Sequence, residues 1–247
     1  MKKPILVDPG DEFISIGSIF GAPLQIKGLS WLPLTQLILW VTLIIQSRKS
    51  QPAWGWFKRI CNATVIMPII LGSEWLHNLA HAYAAKKVQH PVDAIRITWG
   101  MPLLIYHDIE DLSLTPREHI IRSLGGPILN QILIIIGIIY RLFSRKGKIG
   151  RNTANALLGT NTFLFLAGMI PQPWLDGGAA LKWLLVENGS DLEVADQKVR
   201  RANLPAAGIL GVGAVISLKK KKKLIGGTLA TLAGISVLTA LGWLKEK

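Results

Sequence analysis

Four residues able to do chemistry stand close together in an otherwise apolar stretch: Glu74, His77, Asn78 and His81. If residues 60–85 are helical, these positions fall within one face, since 3.6 residues make a turn. Two histidines four residues apart can reach one metal ion, and neutral imidazole is a good zinc ligand. Ionisable side chains within an apolar span are costly and therefore point to function. The same residues would also serve as hydrogen-bonding partners for neighbouring helices, and their spacing leaves both readings open.

A second group lies about a hundred residues further on. The run Met169-Ile170-Pro171-Gln172-Pro173-Trp174-Leu175-Asp176-Gly177-Gly178 closes another apolar stretch. Its two prolines stop a helix and leave unwound backbone suited to lining a cavity. Asp176, beside two glycines that permit close approach, is placed to add a carboxylate to two imidazoles. The set His77, His81 and Asp176 then reads as a zinc site. The plainer alternative is a Pro/Gly turn at a membrane boundary, with Asp176 capping a helix over 177–186. A third group, Gly125-Gly126-Pro127-Ile128-Leu129-Asn130, sets small residues suited to tight helix contact beside an intramembrane amide. Helix packing and a direct role for Asn130 fit it equally well.

The elements that must position these residues are membrane helices. Half of the 247 residues are hydrophobic and only 17% are charged, against roughly 25% in soluble domains. Stretches at 29–46, 60–85, 120–140, 154–170, 204–218 and 224–243 approach the roughly 20 apolar residues that a span needs. The expected fold is an all-α polytopic membrane protein with about six transmembrane helices. The partial alternation of Ile95, Ile97 and Trp99 before Gly100 predicts one short β-hairpin over 92–107, at the membrane face between the second and third spans. The net charge of +13 would suggest nucleic acid as the partner of a soluble protein. Here the basic residues cluster between apolar spans, which points to anionic lipid and away from nucleic acid. Cys61 is the single cysteine, so neither a disulfide framework nor a thiolate metal site is expected. Met1-Lys2-Lys3-Pro4 leads into acidic residues without an apolar h-region, so no cleavable signal peptide is expected.

Together the three groups resemble the site-2 protease family of intramembrane zinc metalloproteases. That family carries an HExxH helix, then Gly-Pro-x-x-Asn, then Asn-x-x-Pro-x-Pro-x-x-Asp-Gly. The counterparts here are His77-Asn78-Leu79-Ala80-His81, Gly126-Pro127-Ile128-Leu129-Asn130 and Gly168-Met169-Ile170-Pro171-Gln172-Pro173-Trp174-Leu175-Asp176-Gly177, in the same order. The resemblance covers about residues 60–188 and divides the chain into an N-terminal segment with the first span (1–59), a protease-like core (60–188) and a C-terminal helical pair (189–247). It implies zinc held by His77, His81 and Asp176, with Asn130 and position 168 toward substrate.

Two positions depart from the family. Its catalytic Glu is Asn78 here, and an amide cannot relay a proton between water and the leaving amine. Its Asn before the two prolines, linked to holding the substrate or the developing oxyanion, is Gly168 here. Asn161, two turns earlier, is too far away to replace it. The leading expectation is therefore a protease-like membrane protein that keeps zinc, has lost peptidase activity or retains little, and binds transmembrane helices of substrate or partner proteins. An active intramembrane metalloprotease using Glu74 as surrogate base is the first alternative. A non-enzymatic membrane anchor or transporter is the second.

Loop charge makes an expectation about orientation. Residues 47–59, 141–151 and 219–223 carry four, five and five Lys or Arg, and the opposite loops carry seven in all. Basic loops tend to stay in the cytoplasm, so the first set belongs there. The family resemblance implies the reverse, with the hairpin after the HExxH helix inside. We expect the charge rule to hold. A cysteine at position 221, in a Cys61→Ser background, should then resist a membrane-impermeant reagent in intact cells. Labelling there would mean that the family orientation holds.

Overall fold

The computed structural model describes residues 13–146 and 148–243. In chain order the elements are β1 (Ile14–Ile19), β2 (Ala22–Ile26), α1 (Leu34–Ser50), α2 (Trp56–Lys87), β3 (Ala94–Thr98), β4 (Met101–Ile105), α3 (Pro116–Phe143), α4 (Ile149–Gly168), α5 (Asp176–Glu187), α6 (Leu192–Arg201), α7 (Asn203–Lys219) and α8 (Lys223–Ala240). The chain forms two compact units. One holds the chain up to Asp111 together with Gly125–Phe165, and the other holds Leu112–Leu124 together with everything from Leu166.

In the first unit α2 is the spine. It is 32 residues long, or about 48 Å at 1.5 Å per residue. Lys86 and Lys87 sit in its last turn, where positive charge suits the helix dipole. Polar side chains tie it to its neighbours. Trp40 of α1 donates its Nε1–H to Thr64 Oγ1 (3.0 Å). Asn152 of α4 donates to Asn62 Oδ1 (2.9 Å), and Asn161 of α4 donates to Ser73 Oγ (3.0 Å). Such interhelical bonds average only about 0.6 kcal/mol in lipid, so they set register more than they add stability.

The sheet lies against the C-terminal part of α2. Ala82 and Ala85 of the helix bury Ala22, Val92 and Ile95, with Phe20, Leu24 and Leu104 packed around them. Small residues on the helix let the strands come close. The sheet order is β1-β2-β3-β4, made of two antiparallel hairpins joined by a parallel β2–β3 pair. Each hairpin turns on an aromatic-glycine pair with positive φ: Phe20 (55°) and Gly21 (89°), then Trp99 (53°) and Gly100 (83°). The Gly100 carbonyl accepts from Gln36 Nε2 (2.7 Å) and from Trp75 Nε1 (3.0 Å), which pins the second turn to α1 and α2.

The expected hairpin over 92–107 is present as β3 and β4. The expectation of one hairpin in an otherwise all-α chain is corrected, because β1 and β2 extend it to four strands. Among the described residues three helical stretches are long and apolar enough to cross a membrane: Pro116–Phe143, Leu192–Lys219 and Lys223–Ala240. Only 22% of the apolar window of α3 is buried, so its Ile-rich surface is turned outward and not into a protein core. Helices α1, α2 and α4 coincide with three further expected spans, but α1 has only 17 residues and α2 gives up apolar positions to Glu74, His77, Asn78 and His81. A count of six therefore goes beyond what length and composition support.

In the second unit, His119 near the start of α3 stacks flat on Trp183 of α5 (3.6 Å between ring centroids). Lys182 of α5 pairs with Asp196 of α6 at 2.8 Å. Gly226 of α8 meets Leu218 and the Ala214 carbonyl of α7, a close approach that a side chain would block.

Gly125 brings α3 close against the backbone of α2 in the first unit. A Cβ there would stand 2.7 Å from the Ala80 carbonyl oxygen and 3.0 Å from Ala84 Cβ. Backbone cannot yield as a side chain can, so Gly125→Ala should destabilise by about 1–3 kcal/mol. Gly72→Ala, where a Cβ meets nothing within 4 Å, should be neutral or stabilising. Thermal unfolding in detergent compares the two, and equal midpoints would refute the close contact.

Candidate metal centre

His77 and His81 lie one turn apart on α2, and their Nε2 atoms are 3.2 Å from each other. Two nitrogens bound to one tetrahedral zinc at about 2.0–2.1 Å would be about 3.3 Å apart. The two rings stand edge to face, with centroids 4.8 Å apart at 77°. One ligand atom each from His77, His81 and Asp176 fall within 4.8 Å of one another. The three residues inferred from sequence are thus gathered.

Asn130 of α3 holds the first imidazole. It is fully buried, and its side-chain nitrogen is 2.9 Å from His77 Nδ1. In that arrangement the Asn130 Oδ1 is buried without a partner. Turning the amide by 180° puts Oδ1 on the ring, where it accepts the Nδ1–H and leaves the Nε2 lone pair for a metal. The turned amide leaves its NH2 where Oδ1 lay, so what it gains is the ring tautomer and not a further hydrogen bond. A ligating histidine is normally held in this way through its other nitrogen. Asn130, expected to face substrate, stands beside the candidate ligand His77 in the structure.

Gly126 completes the cradle. A Cβ at this position would lie 2.5 Å from both His77 Cε1 and His81 Nε2. The sequence motif suggested helix packing here. The structure adds that Gly126 leaves room for the two rings, whereas Gly125 makes the backbone contact.

Asp176 is the first residue of α5 and follows the N-cap Leu175. The capping alternative put Asp176 ahead of the helix, whereas Leu175 holds the N-cap and Asp176 is already inside α5. Gly177 fits against Met169, and Gly178 against the Gln172 carbonyl, with no room for a side chain at either. Gly168 backs onto the carboxylate: a Cβ there would be 3.0 Å from Asp176 Oδ2. Position 168 thus touches a candidate metal ligand.

Asn78 Nδ2 donates to the Glu74 carbonyl (3.0 Å) and to Glu74 Oε1 (3.1 Å). The two residues proposed as degenerate and surrogate base are thus bonded to each other. Asn161 is fully buried and engaged with Ser73 and the Leu157 carbonyl, away from any catalytic task. The sequence reading missed Gln172 and Asn203, both buried amides in the second unit. Their signal was available, since amides within or beside apolar runs seldom occur without a partner.

Among solved structures, the chain matches the Site-2 Protease from Methanocaldococcus jannaschii with 19% identity and a TM-score of 0.49, covering 91% of this chain and 95% of that one. No protein-family model matches the chain, and neither does any curated protein.

The donor set of two imidazoles and one carboxylate, the Nε2 spacing and the Gly126 cradle fit a zinc ion. Gly126→Ala should push both rings off their common point and weaken metal binding by at least about tenfold, in the range seen when supporting groups around a metal are lost. Gly159→Ala, in open space, should leave it unchanged. Competition against a chromogenic chelator measures both, and equal affinities would show that the rings do not need the cradle.

Proposed function

We propose that this chain is a site-2-protease-like multi-pass membrane protein that binds one zinc ion through His77, His81 and Asp176, and that its peptidase activity is lost or much reduced. The gathering of those three ligand atoms within 4.8 Å carries the reading. The ordered match of three sequence motifs supports it. Bound zinc would act as a Lewis acid on a carbonyl and make a coordinated water easier to deprotonate.

The chain's own residues supply less. Asn78 can donate a hydrogen bond but cannot shuttle a proton, so no positioned base stands at that place on α2. Gly168 offers no side-chain donor to a developing oxyanion, a loss that typically costs on the order of 100- to 1000-fold in turnover. What remains is a site able to hold an extended or helical segment near a metal without cutting it. The chain would then bind transmembrane helices of substrate or partner proteins within the bilayer.

A second reading keeps activity through Glu74. One observation favours it: Glu74 Oε1 lies within hydrogen-bond reach of the Asn78 amide, which brings a carboxyl group to the position where the family's Glu would stand. The same bond opposes it, since an oxygen engaged by Asn78 has to break away before it can act as a base.

Metal analysis of the detergent-purified protein should show one equivalent of zinc, lost in His77→Ala. The unaltered protein should not cleave a transmembrane substrate, and Asn78→Glu should restore activity at most in part because Gly168 remains. Stoichiometric metal that survives His77→Ala would sink the zinc assignment. Robust cleavage abolished by His77→Ala would show an active enzyme, with Glu74→Gln as the test of its base.

A further inference from the structure

The segment 169–175 links the end of α4 to Asp176 and has little internal structure of its own. Pro171 and Pro173 remove two backbone donors. The bonds that stay within it are Gln172 N–H to the Ile170 carbonyl (2.7 Å) and Leu175 N–H to the Gln172 carbonyl (3.0 Å). A short irregular stretch of this kind wanders unless other elements restrain it, yet a metal ligand must be held within about 0.5 Å.

The restraints come from the C-terminal helices. Asn203, the first residue of α7, is fully buried, and its Nδ2 donates to the Pro171 carbonyl (2.6 Å) and to the Val199 carbonyl (3.1 Å). Its Oδ1 has no partner. Gln172 is buried as well, and its Nε2 donates to Ser236 Oγ of α8 (3.0 Å). Burying an amide with one end unsatisfied is costly, so a residue kept in that state needs a reason. The one long-range bond that Asn203 makes runs to the segment leading into Asp176.

We propose that Asn203, assisted by Ser236 acting through Gln172, is a positioning residue for Asp176, so that the C-terminal helical pair is a working part of the metal centre and not an appended anchor. This rests on the reading of Asp176 as a zinc ligand. The chain of contact is short. Asn203 fixes the Pro171 carbonyl, Ser236 fixes the Gln172 side chain, and Gly177 and Gly178 lock the start of α5 against Met169 and Gln172. Asp176 begins the helix that these contacts hold.

The test uses the full chain in detergent, with Asn203→Leu to remove the donor at nearly constant volume. Asn161→Leu is the control, since Asn161 is equally buried and hydrogen-bonded but lies outside this segment. In metal-free protein, amide exchange at Leu175 and Ala179 should rise about tenfold or more in Asn203→Leu and stay unchanged in the control. Zinc affinity should fall about 10- to 100-fold in Asn203→Leu, but show no further fall when the change is made in an Asp176→Ala background. Ser236→Ala should give the same pattern at smaller size, and carries the test if Asn203→Leu fails to fold. Unchanged exchange at Leu175 and Ala179 would overturn the proposal. So would an affinity loss that persists undiminished in the Asp176→Ala background, because Asn203 would then act on the fold in general. If the unaltered protein takes up no zinc, the metal reading itself fails, and the exchange measurement still decides whether Asn203 holds the segment.

Discussion

A polar side chain packed among apolar helices must find its partner within the protein, because its surroundings offer none. Helix α2 shows how far this constraint reaches. Its Asn62, Thr64, Ser73 and His77 each meet a side chain from α1, α3 or α4, and Asn78 bonds back to Glu74 within the helix. Each interhelical bond adds only about 0.6 kcal/mol when made. Leaving a buried partner unpaired costs about 1–3 kcal/mol. The asymmetry means that these residues act mainly by penalising every other register of the helices. The helix that carries the chemistry is also the one that fixes its neighbours, and the His77–Asn130 contact serves the candidate site and the architecture at once.

Glycine plays the complementary part, by deciding what can come close. Gly125 and Gly126 are adjacent but do different work: the first admits the backbone of α2 and the second admits two imidazole rings. Gly177 and Gly178 admit backbone from the turn before α5. Gly168 admits the Asp176 carboxylate, so its small size has a use of its own. A longer side chain at 168 would have to displace the carboxylate or bond to it. The close seating of Asp176 is a consequence of that one small residue.

Much of the site was legible from sequence because its signals are local. The four-residue spacing of His77 and His81 survives any detail of the fold, and Pro171 and Pro173 end α4 whatever surrounds them. The hairpin of β3 and β4 was legible from its alternation and its Gly100 turn. The sheet's other half was not, because β1 has one side chain pattern, Ile14-Ser15-Ile16, too short to outweigh the coil around it, and its pairing with β2 and β3 is non-local. The roles of Asn130 and Asn203 were hidden for the same reason. An amide in an apolar run announces that it needs a partner, but the partner lies 53 residues away for Asn130 and 32 for Asn203. Span counting reached further than hydropathy alone supports, since a helix such as α2 satisfies a length rule while spending its apolar positions on polar chemistry.

Asn78 is best understood together with Glu74. On one helix face, residues four apart are neighbours, and like charges there repel whereas an amide and a carboxyl group attract. Asn78 donates to Glu74 Oε1 and so satisfies an acidic side chain that apolar surroundings would otherwise strand. A glutamate at 78 would remove that donor and set two carboxyl groups one turn apart beside two imidazoles. The pair Glu74–Asn78 is therefore a self-consistent arrangement, and a glutamate at 78 alone would break it. A glutamate at 78 would thus work beside a second carboxyl group, so its behaviour as a base would depend on the local electrostatics of α2 as much as on any metal.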